Sequence, residues 1–252
     1  EISACLVGSE MCIRDRGYPM GMMYGFIYEG TYKYEDFDKV GDTYTLKRNV
    51  PYFSSESNTQ PGMPKYADLN GDGIIDDNDR TMIGNGMPKH TGGFTNNFEY
   101  KGFDLSIFFQ WSYGNDVLNA NRLFFENSNK TRDLNQYASY ADRWTPENPE
   151  SNIPRATDSG SNKVFSTRII EDGSFLRLKT VSLGYTLPKQ LTKKWKIDNA
   201  RVFVAGQNLW TCTGYSGYDP EVSIREGALT PGLDFSAYPR AYSISFGINL
   251  GF

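Results

Sequence analysis

The chain has 252 residues, a formal net charge of −4 and a single histidine; 15% of its residues are aromatic, with 17 Tyr and 16 Phe, and it holds 25 Gly. Its Lys and Arg residues are scattered rather than gathered into a field that would hold a phosphate backbone, so no nucleic acid partner is expected. No run approaches the ~18 apolar residues of a spanning helix. A mean hydropathy of −0.54 does not exclude membrane strands, because such a strand shows lipid only every second side chain.

Residues 1–16, EISACLVGSEMCIRDR, hold two of the three cysteines, no aromatic residue and no alternation. The apolar run from Ala4 to Val7 is short and lacks the basic start of a signal peptide. This stretch resembles a translated sequencing linker, distinct from the fold expected over 17–252; the alternative is an ordinary periplasmic turn and strand start. Cys212 then stands alone, and no disulfide or cysteine metal site is expected.

Met22 to Tyr32 is rich in aromatic residues and predicts a first strand. Beyond it, DLNGDGIIDDND, from Asp68 to Asp79, has the spacing of a twelve-residue calcium loop. Oxygen donors would come from Asp68, Asn70 and Asp72, the backbone carbonyl of Ile74, Asp76 through water, and Asp79, with Gly73 at the sharp turn. Asp in the last place, where a bidentate Glu is usual, resembles dockerin-type loops. An ion-free acidic turn gives the same spacing, with Asn70-Gly71 and Asp72-Gly73 supplying left-handed residues. In both readings the role is structural, and the expected cofactor is at most Ca²⁺ in an external loop.

His90 reads as a loop histidine. Phe94, Phe98 and Tyr100 share one face of a strand, and Lys101-Gly102 turns it into a partner carrying Phe103, Leu105, Ile107, Phe109, Trp111 and Tyr113 on one face. Asp104, Ser106, Phe108, Gln110 and Ser112 lie opposite. Asn115 to Asn127 and Asp133 to Trp144 predict short helices, the second stopped by Thr145-Pro146-Glu147-Asn148-Pro149. Val181, Leu183, Tyr185 and Leu187 form another apolar face, ended by Pro188. Leu176 and Leu178 fall in the opposite phase, which points to a bulge near Thr180 or to a change there from lipid to loop surroundings. From Ala200 to Trp210 the best apolar set is Phe203, Ala205 and Leu209. The last strand alternates most cleanly, with Tyr242, Ile244, Phe246, Ile248, Leu250 and Phe252 on one face and Ser243, Ser245, Gly247, Asn249 and Gly251 on the other.

These segments make about six strands whose connections alternate between long and short, the asymmetry of outer-membrane barrels. Loops around 33–90, 114–173 and 211–238 are expected outside. Their aromatic residues, Tyr137, Tyr140, Trp144, Tyr215 and Tyr218, pack the loops together or stack on sugar rings. The expected fold is all-β: a partial antiparallel transmembrane β-barrel with long external loops containing short helices. Since about eight strands is the usual minimum for closure and an open edge in lipid leaves backbone groups unpaired, further strands are expected upstream. No nucleophile sits in a recognisable motif and a single histidine makes no metal cluster, so no enzyme is expected. The alternative is a secreted soluble β-sandwich that binds glycan through a calcium-ordered loop.

DLNGDGIIDDNDRTMIGNGMPKHTGGFTNNFEYKGFDLSIFFQWSYGNDV resembles the characteristic stretch of the SusC/RagA family of TonB-linked outer-membrane proteins of Bacteroidota. FLRLKTVSLGYTLP, ARVFVAGQNLW, GYDPE and the closing YPRAYSISFGINLGF resemble its remaining carboxy-terminal segments. The resemblance runs from about Gly17 to Phe252 and identifies 17–252 as the carboxy-terminal part of such a barrel. It implies an outer-membrane location, a barrel of about 22 strands around a plug, and energy from TonB through parts outside this chain. It further implies a SusD-like lipoprotein over the outer face and import of oligosaccharides or peptides. The face from Tyr242 to Phe252 would then be the signal read by the barrel-assembly machinery.

Overall fold

The structure is a computed structural model and describes residues 20–127, 135–157, 164–222 and 231–252. The expected linker segment 1–16 and the start of the expected helix at Asp133 lie outside these residues. Strands follow in chain order: β1 Met22–Gly25, β2 Tyr28–Thr31, β3 Phe37–Val40, β4 Thr43–Leu46, β5 Tyr52–Phe53, β6 Pro64–Tyr66, β7 Ile74–Ile75, β8 Thr81–Asn85, β9 His90–Tyr100, β10 Phe103–Tyr113 and β11 Asp116–Asn119. After helix α1, Asn121–Phe125, come β12 Ile170–Asp172, β13 Phe175–Thr186, helix α2 Lys189–Thr192, β14 Asn199–Thr213, β15 Leu233–Asp234 and β16 Ser243–Gly251. They form two compact units. One combines the chain up to Met87 with Asp116–Glu171 and Ser223–Ala237; the other combines Pro88–Asn115, Asp172–Val222 and Tyr238–Phe252.

The second unit is one antiparallel sheet in the order β9-β10-β13-β14-β16. Because strand side chains alternate, the register sorts residues into rows that share a face. One row is Tyr100, Phe103, Tyr185, Val202 and Ile248, and the next is Phe98, Leu105, Leu183, Val204 and Phe246. The opposite face carries Asn97, Ser106, Ser182, Ala205 and Ser245 in one row, and Glu99, Asp104, Gly184, Phe203 and Gly247 in another. One face is apolar across all five strands and the other is small and polar apart from Phe108 and Phe203.

The expected bulge is present. Phe108 pairs with Thr180 and Phe109 with Leu178, so Lys179 is one residue more than β10 can match. That extra residue reverses the parity of everything before it and brings Leu176 and Leu178 onto the face of Val181 and Leu183. β14 answers with its own irregularity: Gln207 faces Thr180 and Trp210 faces Leu178, with Asn208 in the left-handed region at φ 52.

Three sequence expectations about the strands change. The apolar set of β14 is Val202, Val204 and Trp210, with Leu209 folded over Gly206, whereas Phe203 and Ala205 lie on the polar face. Phe203 goes there because its ring fills the place of the missing side chain at Gly247. Met22 to Tyr32 is extended but does not join the sheet: it divides into β1, which pairs with β8, and β2, which pairs with β6. The sheet of the described residues therefore has five strands. His90 opens β9 opposite Tyr113 rather than standing in a loop.

The first unit is built from short pairings around small apolar clusters. Met23, Leu118, Leu123, Ile169 and Leu233 form one, and Phe26, Tyr66 and Ile75 another. Within 115–127 only Asn121–Phe125 is α-helical, because Leu118 and Asn119 are held as strand against Leu233 and Asp234. In the second expected helix, Ala138–Asp142 forms a 3₁₀ turn before the Thr145–Asn148 bridge.

The bulge generates a direct prediction. Deleting Lys179 in the full-length protein puts two apolar rows on the polar face and abolishes recovery of folded protein, measured as protease-resistant material. Lys179→Ala keeps the residue count and retains it.

Candidate functional site

The apolar face is exposed on each of its five strands, at Phe98, Phe103, Leu183, Val202 and Phe246, while Leu105, Ile107, Val181 and Val204 between them are half-buried among neighbouring rows. This is the reverse of a sandwich sheet, whose apolar face is buried against a second sheet ~10 Å away. Aromatic residues mark both ends of the face. Where the long connections leave, the His90 ring stacks on Tyr113 at 5.1 Å and its Nδ1 accepts from Trp111 Nε1 at 3.1 Å. At the other end Tyr100, Phe103 and Tyr185 stand together, with 4.5 Å between the rings of the last two. From Phe103 to Trp111, eight residues at ~3.3 Å each and tilted by ~40° give about 20 Å, near the ~25 Å apolar band of a membrane barrel.

The polar face is tied by charge. Asp104 on β10 accepts from Nε and Nη2 of Arg201 on β14, reaching across β13 where Gly184 leaves room for the guanidinium. A larger cluster sits at the far end of β13. Arg177 donates to Asp219 at 2.5 Å and to Glu221 at 3.1 Å, and Lys179, placed on this face by the bulge, reaches Glu221 at 3.3 Å. Arg240 joins through its Nε to Glu221 at 3.0 Å and its backbone N–H to Asp219 at 2.9 Å. The GYDPE stretch thus closes three cations around two carboxylates.

Arg177 and Asp219 are almost wholly buried, with side chains 3% and 4% exposed. Burial alone would raise the Asp219 pKa, but the Arg177 guanidinium and the amides of Arg240 and Glu221 hold it below the usual carboxylate range. Sequence reasoning missed this cluster. Its signal was two cations and an Asp-Pro-Glu loop beside strands that otherwise carry little charge on their polar faces.

The six residues of the Asp68–Asp79 loop are placed in one tight turn. Asp68 accepts from the amides of Gly71 and Gly73 at 2.7 and 2.8 Å, the Asn70 side-chain oxygen from the Asp72 amide at 2.8 Å, and Asp72 from the Ile74 amide at 2.8 Å. Asp76 caps the Asn78 amide at 2.8 Å. Asp79 is fully buried and takes the amides of Leu69, Asn70 and Asp76 at 2.8, 3.3 and 2.9 Å. Burial would raise its pKa, yet these amides hold it below the usual carboxylate range. Ile74 forms a two-residue parallel pairing with Tyr52. Among the described residues no group of three or more His, Cys, Asp or Glu is gathered to hold a metal.

Of the five loop aromatics, Tyr140, Trp144 and Tyr215 are buried. Tyr137 packs on Phe125, with 5.4 Å between ring centroids, and Tyr218 is 84% exposed. Packing accounts for four of the five. The terminal set Tyr242, Ile244, Phe246, Ile248, Leu250 and Phe252 is exposed throughout.

An exposed apolar face of membrane-strand length, a polar reverse face and long connections at one end define the class as a wall segment of an outer-membrane barrel. No family model matches the chain. It is 35% identical over 243 residues to TonB-dependent receptor P3 of Formosa agariphila, covering 94% of this chain and 22% of that protein. To TonB-dependent receptor P26 of the same organism it is 39% identical over 197 residues, 76% of this chain and 20% of the relative. TonB-dependent receptor SusC of Bacteroides thetaiotaomicron matches at 28% over 198 residues, 78% of this chain and 18% of that one. Among solved structures, the RagAB peptide transporter superposes with a TM-score of 0.72 at 26% identity, covering 99% of this chain and 24% of the other. The chain belongs to the SusC/RagA family of TonB-dependent receptors, and it spans about a fifth to a quarter of the length of the relatives it matches.

Asp219→Ala leaves Arg177 buried without its closest partner and should destabilise the sheet by about 3–5 kcal/mol, the usual cost of breaking a buried pair from one side. Because the folded pKa of Asp219 is depressed, its contribution is fully present above about pH 4 and fades as the pH falls through the folded value. Unfolding followed between pH 7 and pH 2 should show that loss in the parent, with a smaller contribution from this step in Asp219→Asn.

Proposed function

We propose that this chain forms part of the barrel wall of a TonB-dependent outer-membrane importer that takes up oligosaccharides or peptides together with a SusD-like lipoprotein on its external face. The observation that carries this reading is the apolar face, continuous across five strands and exposed. In water such a face is an aggregation hazard; in a bilayer it is the surface the solvent requires. The soluble sandwich needs the same face buried and is disfavoured for that reason.

Substrate class and partners are carried from the relatives. They are named TonB-dependent receptors, and the RagAB structures are named a peptide transporter or importer. TonB would supply energy through parts of the receptor outside this chain. The exposed face from Tyr242 to Phe252 supports a role as the signal for the barrel-assembly machinery. Cells carrying the full-length gene should import one class, labelled oligosaccharide or labelled peptide, only while TonB is present. Removal of Phe252 should lower the amount of receptor in the outer membrane. Uptake unchanged by loss of the gene or of TonB would contradict the reading.

The loop from Asp68 to Asp79 is proposed to take calcium as a structural ion. Its spacing supports this, and each carboxylate oxygen that accepts an amide keeps a second lone pair. In the full-length receptor about millimolar calcium should slow tryptic cleavage at Arg80, and Asp72→Ala should remove the effect. Equal cleavage with and without calcium would leave the turn to its amide hydrogen bonds alone.

A further inference from the structure

The apolar belt alone cannot say where the last strand stops. On β16 the lipid-type face reads Ile244, Phe246, Ile248 and Leu250, and a slide of two residues against β14 keeps every one of them on that face. The same slide moves Phe252 by ~6.6 Å along the sheet. Something on the polar face must therefore set the register.

We infer that the register of β16 is fixed by a two-part lock: the Asp219/Glu221 clamp on Arg240 and the seat of the Phe203 ring over Gly247. Arg240 lies three residues before the first paired residue, Ser243, and is held by both side chain and main chain. The next carbonyl, that of Ala241, accepts from Asn208 Nδ2 at 3.1 Å, so the lead-in to β16 is tied to the irregular turn of β14 as well. The clamp is anchored in turn to β13 by Arg177 and Lys179.

The second part acts by shape. A Cβ at residue 247 would meet the Phe203 ring. A slide of two in one direction sets Ser245 under that ring, and in the other Asn249, and neither leaves the space. Gly251 would fit only after a slide of four, with the loss of four of the nine paired positions. Charge and shape thus exclude the two nearest registers that hydrophobic burial permits.

The test uses the full-length receptor in outer membranes, with Cys212→Ser and other native cysteines replaced. The pair Val204→Cys with Phe246→Cys reports the native register; Val204→Cys with Ile244→Cys or with Ile248→Cys reports a slide of two. The parent should cross-link through the first pair alone. Adding Arg240→Ala with Glu221→Gln and Phe203→Ala, which removes both parts of the lock, should lose that cross-link and yield one of the slipped pairs. An unchanged native cross-link in that variant overturns the lock. Should the variant fail to reach the membrane, Gly247→Val decides: it should lose the native cross-link, and adding Phe203→Ala should restore it, whereas failure to restore it overturns the lock. Cross-linking reads register whether or not anything is transported, so this outcome and that of the uptake experiment are separate.

Discussion

Everything in the second unit depends on lateral pairing of long strands without loss of side-chain parity. In lipid the backbone N–H and C=O groups have no water to fall back on, so each interior strand must pair on both sides along its length. Parity must hold as well, because a one-residue error turns a whole strand's apolar set the wrong way. β13 carries such an error in its sequence and repairs it at Lys179. The same residue then delivers a cation to the polar face, where Glu221 receives it. One extra residue both restores the belt and supplies part of the clamp.

The two faces are held by different physics. The apolar face has no internal partner beyond neighbouring rows and leaves its stabilisation to the surrounding solvent. The polar face is closed by ion pairs and by small residues beneath large ones, such as Gly247 beneath Phe203. A buried pair such as Arg177 with Asp219 contributes modestly to net stability once desolvation is counted, but it is specific about geometry. That makes it suited to holding a loop and a strand lead-in in place. Rows of alternating apolar residues are poor at that task because they repeat every two residues.

Much of the sheet was legible from alternation. β9, β10 and β16 follow their apolar periods, and the phase change at Leu176 and Leu178 marked the place of the bulge without separating it from a change of surroundings, which the register decides. β14 was misread because Phe203, the largest residue in its first half, belongs to the polar face. Only its partner Gly247, more than forty residues on, explains why. Met22 to Tyr32 has strand composition, but composition does not say which sheet a strand joins, and short pairing partners at 64–66 and 81–85 claimed it. The charged clamp was missed for the same reason: its members come from β13, from the 217–222 segment and from the approach to β16, and their charges alone did not say that they meet. The Asp68–Asp79 spacing was plain in the sequence, and the structure adds how its carboxylates are shared among backbone amides.

The central claim is that the face bearing Phe246 and Ile248 meets lipid while that bearing Ser245 and Asn249 does not. It is tested most directly by spin labels placed singly at 244, 245, 246, 248 and 249 in the full-length receptor in bilayers, with collision rates measured against oxygen and against a water-soluble nickel reagent. The account predicts strict alternation, with high oxygen and low nickel accessibility at 244, 246 and 248 and the reverse at 245 and 249. Equal accessibility to nickel at all five positions, or burial of the even positions from both reagents, would contradict it.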